Sequence, residues 1–207
     1  SSSASISSDK LLVNNSGSSA TSTSFTGTTG VDTFTGRSGN DSFDFTTDTS
    51  LNDYDVLDGA GGTDTLTIKY TAADNGTTLI PQLSNMEVIQ VTNLAATDGD
   101  NSDTEVLTVA TAGLTGITKV TNIGGGAQSS GVSFNDLAAP ADIEVRSALG
   151  TTTANFNATA LSGASDSITL TVSGTNSTTV AITDDSSVAT QALESLTINS
   201  ISVANTL

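Results

Sequence analysis

Three nine-residue stretches carry the side chains and turn residues that hold hard cations: residues 27–35 (GTTGVDTFT), 36–44 (GRSGNDSFD) and 59–67 (GAGGTDTLT). Each has glycine at positions one and four, aspartate at six and a large apolar residue at eight (Phe34, Phe43, Leu66). Glycine lets the backbone turn tightly and bring its carbonyl oxygens close to an ion. Aspartate adds an anionic oxygen, and Ca²⁺ gathers about six to eight oxygen ligands. The chemistry implied is therefore calcium coordination. Its candidate residues are Gly27, Thr29 and Asp32 in the first copy, Gly36, Ser38 and Asp41 in the second, and Gly59, Gly61 and Asp64 in the third.

The spacing fits the G-G-x-G-x-D-x-U-x repeat of calcium-loaded parallel β-rolls, with two departures. Position two is Thr28, Arg37 or Ala60 rather than glycine, and a 14-residue insert (residues 45–58) separates copies two and three. In a regular roll an ion sits between copies 18 residues apart, so an interrupted array predicts one or a few sites. The insert supplies Asp53, Asp55 and Asp58 to complete the shells. The competing reading is a set of ordinary Gly/Asp hairpin turns. A further cluster, Asp98, Asp100 and Asp103, opens like a calcium loop but lacks the later glutamate and flanking helices of an EF-hand. It is a solvated acidic turn or a separate calcium site.

Composition narrows the functions available. The chain has 207 residues, 67 of them Ser or Thr, and a net charge of −17 with only five Lys and Arg. No basic patch exists to neutralise phosphates, which argues against nucleic-acid binding. Eight of the 18 aspartates lie between Asp32 and Asp64, a density that repels itself unless cations intervene. With no Cys and no His, disulfides, N/S metal sites and Ser-His-Asp or Cys-His catalysis are excluded. Gly124-Gly125-Gly126 lacks the lysine and helix of a phosphate loop. N-x-S/T sequons such as those at Asn14, Asn75, Asn157 and Asn176 are of the number expected by chance in so Asn/Ser/Thr-rich a chain. No run is long and apolar enough to cross a membrane as a helix. Ser1 in place of an initiator Met leads to the expectation of a processed chain or part of a longer one.

The elements that must position these residues read as β. Alternating apolar residues mark strands at Leu66/Ile68/Tyr70, Ile89/Val91, Leu107/Val109, Ile143/Val145, Ile168/Leu170/Val172, Val180/Ile182, Leu196/Ile198 and Ile201/Val203, with Thr at most outward positions. Gly, Asn and Asp punctuate between them, and Asp184-Asp185 reads as a hairpin turn. Short helices are expected only near residues 133–139 and 189–194. An internal echo aligns Met86-Glu87-x-Ile89-x-Val91 with Leu193-Glu194-x-Leu196-x-Ile198, as repeated strand-bearing units would. The expected fold is all-β. Residues 1–26 form an extended arm or linker, and 27–92 a calcium-binding β-roll or parallel β-solenoid. Residues 93–207 continue the solenoid or form a β-sandwich.

Residues 54–68 (YDVLDGAGGTDTLTI) and 85–93 (NMEVIQVTN) resemble the surface-layer and related cell-surface proteins of Gram-negative bacteria that carry RTX-type calcium repeats. That resemblance covers about 65 residues. It implies secretion, calcium-triggered folding and assembly with copies of itself into an extracellular lattice on the bacterial cell surface. Surface polysaccharide or lipopolysaccharide would be a further partner. No enzymatic role is expected. The alternatives are a calcium-dependent, glycan-binding adhesin module, or the non-catalytic repeat region of a secreted hydrolase.

Overall fold

The computed structural model describes residues 20–47, 50–71, 76–94, 106–112, 114, 116–124, 130–174, 178–185 and 192–201. They form sixteen strands and no helix. One face is an eight-stranded sheet made of β1 (Ser24–Thr26), β3 (Ser42–Phe45), β5 (Thr65–Tyr70), β8 (Val88–Asn93), β10 (Lys119–Ile123), β12 (Asp142–Arg146), β14 (Ser167–Ser173) and β16 (Ser195–Ile201), in that order. Two shorter sheets complete the coils. One is β2 (Thr33–Thr35), β4 (Val56–Asp58) and β7 (Gln82–Ser84). The other is β6 (Thr77–Leu79), β9 (Val106–Ala110), β11 (Gly131–Leu137), β13 (Thr152–Phe156) and β15 (Val180–Asp184). Every described pairing is parallel. The chain is a β-solenoid. β8 pairs with β5 on one edge and β10 on the other, so the described residues past 93 continue the same solenoid.

Period-two alternation sends one set of side chains into the lumen of every coil. Phe25, Phe43, Leu66, Ile89, Val120, Ile143, Leu170 and Ile198 are register partners in succession, an apolar column one residue deep per coil. Phe45, Ile68, Val91, Asn122, Val145, Val172 and Ser200 form a second. At the first coils Phe25 stacks on Phe43 (4.9 Å between centroids) and on Phe34 (5.0 Å). The buried amide of Asn122 donates to Thr152 Oγ1 across the lumen (2.8 Å), and that of Asn93 to the Gly131 carbonyl (2.8 Å). These two amides can sit inside because each finds a partner.

The alternating strands expected from sequence are present, and their apolar residues face inward as far as β14. Val203 lies outside the described residues, as do residues 1–19 of the arm with Asn14, and Asn75 and Asn176. Three expectations need correction. Residues 131–137 are a strand, not a helix. Asp136 takes a positive φ of 67° and shifts the register between Phe134 and Leu137, so both point inward three residues apart, a spacing that mimics a helix. Of the second expected helix only residues 192–194 are described, and they are not helical. Asp184 ends a strand that pairs in parallel with β13, so Asp184-Asp185 marks a corner between sheets and not a hairpin. The same parallel pairing removes the hairpin reading of the Gly/Asp turns.

Candidate metal centre

The three nonapeptides form corners on two opposite edges. Copy one turns the chain from β1 to β2. Copies two and three turn it from β2 to β3 and from β4 to β5, so their loops lie one above the other. Gly36 N–H donates to the Asp58 carbonyl (2.6 Å), Gly61 N–H to the Arg37 carbonyl (3.0 Å), and Thr65 N–H to the Asp41 carbonyl (3.0 Å). The stacking interval is 23 residues, because the 14-residue insert stands in for a missing nonapeptide. It also supplies the equivalent aspartate on the opposite edge: Asp32 N–H donates to Asp55 Oδ1 (2.8 Å).

Glycine at position one is a steric requirement in copies two and three. A Cβ on Gly36 would lie 2.3 Å from Asp41 Oδ2 and 2.4 Å from the Gly59 carbonyl oxygen. On Gly59 it would lie 2.0 Å from the Asn85 carbonyl oxygen and 2.4 Å from Asp64 Oδ2. The oxygens expected of a calcium loop therefore do crowd the glycines.

What the carboxylates do there is more specific than the sequence suggested. Asp32 folds back within its own turn: Thr28 N–H donates to Oδ2 (2.7 Å) and the Thr28 hydroxyl to Oδ1 (3.1 Å). Asp41 does the same with Arg37 N–H at Oδ2, while its Oδ1 receives Thr23 N–H from the preceding coil. Asp55 receives Asp32 N–H and Asn52 N–H (2.8 Å each). Both oxygens of these three side chains are engaged by donors, which closes the turn and ties it to its neighbour.

Asp64 breaks the pattern. Its Oδ1 accepts Asp41 N–H (2.6 Å), but the donor its Oδ2 should meet, Ala60 N–H, goes to Asp58 Oδ1 (2.9 Å). Ala60 also adopts a left-handed φ of 66°. Asp64 Oδ2 is left fully buried without a hydrogen-bond partner. Burial pushes the Asp64 carboxyl above its ordinary range, reinforced by the charges of Glu87, Asp41 and Asp58. Asp58 moves the other way, held low by the Asn85 amide (2.8 Å) and the Ala60 N–H.

The structure thus brings Asp41, Asp58 and Asp64 to one edge and Asp32 and Asp55 to the other. Thr29 and Ser38 are exposed at their loop tips and Gly61 is half-buried. Gly27 sits against the Phe45 ring, 2.3 Å from where its Cβ would be, so its role is packing. Asp53 caps Ile80 N–H (2.7 Å), separate from either column. Asp98, Asp100 and Asp103 lie outside the described residues. Among the described residues no three acidic side chains converge into a ready-made metal group.

Beside Gly59, Asp64 Oδ2 and the carbonyl oxygen of Asn85 lie 2.4 and 2.0 Å from where a Cβ would be, and Asp58, held low by its hydrogen bonds, is close enough for its charge to raise the Asp64 carboxyl; these are the oxygens a cation would draw on. Asp32, Asp41 and Asp55 do not fit, since a metal would have to displace N–H donors already in place. The position also contains two residues not assigned from sequence, Asn85 and Glu87. Glu87 continues the aspartate column by accepting Asp64 N–H (2.7 Å), and Glu194 accepts Asp166 N–H at the same distance before β16. The internal echo was the signal for them, since it aligns these two glutamates. The chain matches no family model, no curated protein and no solved structure.

Proposed function

We propose that the chain is a calcium-stabilised structural solenoid, a non-catalytic building block that associates with its own copies in an extracellular bacterial surface layer or filament. The observation that carries the calcium part is the orphaned Asp64 Oδ2. A buried carboxylate oxygen without a donor costs about 1–3 kcal/mol or more, and the neighbouring anions that raise its pKa are those a divalent cation would neutralise. Asp64, Asp58 and the Asn85 carbonyl would hold the ion. It would supply charge compensation and tie the coil carrying β4 and β5 to the one carrying β7 and β8. A parallel solenoid with a net charge of −17 gains from any such ion, because compaction and self-association both work against like-charge repulsion. The self-association part rests on the resemblance of residues 54–68 and 85–93 to RTX-bearing surface proteins and on β1 and β16, each of which pairs on one side only among the described residues. The residue types absent from the chain, His and Cys, leave no Ser-His-Asp or Cys-His pair for hydrolysis.

Thermal unfolding by circular dichroism and electron microscopy, in calcium and in EGTA, test this reading together. Calcium should raise the melting temperature and favour ordered sheets or filaments. A melting curve and particle state indifferent to calcium would remove the proposal.

A further inference from the structure

The insert between copies two and three has a second consequence on the opposite side of the coil. Its residues Leu51, Asp53 and Tyr54 face Tyr70, Thr78 and Leu79 of the next coil across a cleft of about 290 Å³. Leu51 and Leu79 are buried and form an apolar floor. The chain has only eight aromatic residues. Both tyrosines are at this cleft, whereas all six phenylalanines pack in or against the core. Tyr54 is 72% exposed, yet its backbone is fixed, since its N–H donates to Asn52 Oδ1 (3.0 Å) and the Asn52 amide in turn donates to the Gly30 carbonyl (2.9 Å). Asp53 is fixed as well: Ile80 N–H holds Oδ1 (2.7 Å), leaving Oδ2 available as an acceptor. Tyr70 is oriented by its hydroxyl, which donates to Thr77 Oγ1 (3.2 Å).

We infer that this cleft binds a neutral saccharide, one or two rings in size. The Tyr54 ring offers the flat apolar surface on which the C–H face of a pyranose packs, Asp53 Oδ2 accepts its hydroxyls, and the Thr78 hydroxyl supplies a further donor and acceptor. A carboxylate already held in place beside an aromatic whose backbone is held lowers the ordering cost of binding. The volume stands at the lower end of ligand clefts, roughly 300–1,000 Å³, which suits one or two sugar rings. The Asp53 charge and the chain's net charge of −17 exclude phosphates and uronic acids, so the saccharide is uncharged. The inference does not depend on the cation position at Asp64, and its failure would leave that reading intact.

The cleft carries its own probe. With no tryptophan and both tyrosines at the site, intrinsic tyrosine emission reports occupancy there. The protein in calcium buffer is titrated with methyl glycosides of neutral hexoses and with neutral disaccharides, and with tetramethylammonium as a cationic competitor. A saturable emission change is expected with at least one neutral saccharide. D53N and Y54A should each weaken it about tenfold, the loss of one charge-assisted hydrogen bond or one stacking surface, while Y54F stays within a few-fold of wild type. Circular dichroism checks that both exposed-site variants keep the fold, and saccharide line broadening by NMR reads binding to Y54A. No saturable response to any neutral saccharide, a response that survives D53N and Y54A, or preferential binding of tetramethylammonium overturns the inference.

Discussion

The same substitution at two copies of one motif should change stability in opposite directions. Asp41 and Asp64 hold the same position in the nonapeptide, both are buried, and both accept the N–H of a residue one coil away. Asp41 uses both oxygens. In Asp41→Asn one oxygen becomes an NH₂ aimed at a backbone N–H, so a charge-assisted bond is lost and a buried donor is stranded. The cost is about 2 kcal/mol, or roughly 4–8 °C in melting temperature for a chain of this size. Asp64 uses only Oδ1. Asp64→Asn keeps that acceptor, removes a buried and uncompensated charge, and turns the orphaned oxygen into an amide that faces the Asn85 carbonyl. In EGTA it should therefore stabilise by about 1–2 kcal/mol. Calcium reverses the ranking. At a hundredfold excess over its dissociation constant the ion adds about 2.7 kcal/mol to wild type and nothing to Asp64→Asn. Melting followed by circular dichroism for the three proteins, with and without calcium, gives the answer. If Asp64→Asn falls as far as Asp41→Asn in EGTA, Oδ2 is satisfied in solution and the argument fails. Equal calcium stabilisation of wild type and Asp64→Asn would move the ion elsewhere.

The pH profile follows from the two shifted carboxyls. The folded Asp64 pKa is raised, so its contribution is full below the ordinary carboxylate range and is lost as pH rises through the folded value. The folded Asp58 pKa is lowered, so its contribution is present above that range and is lost as pH falls through the folded value. Chelated wild type should gain stability on mild acidification and lose it on further acidification, and chemical denaturation at stepped pH should show the first limb missing in Asp64→Asn. Gly59→Ala places a methyl against the Asn85 backbone oxygen, 2.0 Å away, and should cost about 1–3 kcal/mol in urea unfolding. Gly61→Ala meets nothing nearer than 4.0 Å and should stay within about 0.5 kcal/mol. Glu194→Ala removes an exposed acceptor of the Asp166 N–H, which water replaces, and should cost about 0.5–1 kcal/mol, with increased hydrogen exchange at β14 and β16.

Strand identity was legible because alternation is a local signal. Ile168, Leu170 and Val172 must share a face whatever surrounds them, and each coil then stacks like on like: Phe25 on Phe43, Leu66 on Ile89, Ile143 on Leu170. The coil period was not legible. Register partners lie 18 residues apart at Ser24 and Ser42, 23 at Ser42 and Thr65, and 31 at Val88 and Lys119, because the corners absorb insertions while the strands do not. A repeat search sees unequal spacing where the fold sees equal rungs. The helix expected at residues 133–139 failed for a related reason, since one bulge at Asp136 is enough to give a strand a three-residue apolar spacing.

Asp32, Asp41 and Asp64 sit at the coil corners, but their chemistry depends on something a motif does not encode, namely where each neighbouring N–H points. Position six of the nonapeptide is a turn-closing acceptor when the residue after the first glycine offers it a donor, as Thr28 and Arg37 do. It becomes an orphan when that donor is diverted, as Ala60 N–H is by Asp58. Asp58 comes from the end of the insert, so the interruption that spoils the repeat as an array also leaves a buried carboxylate oxygen, Asp64 Oδ2, without a donor. The third copy is the functional candidate because it is the copy whose turn does not close on itself.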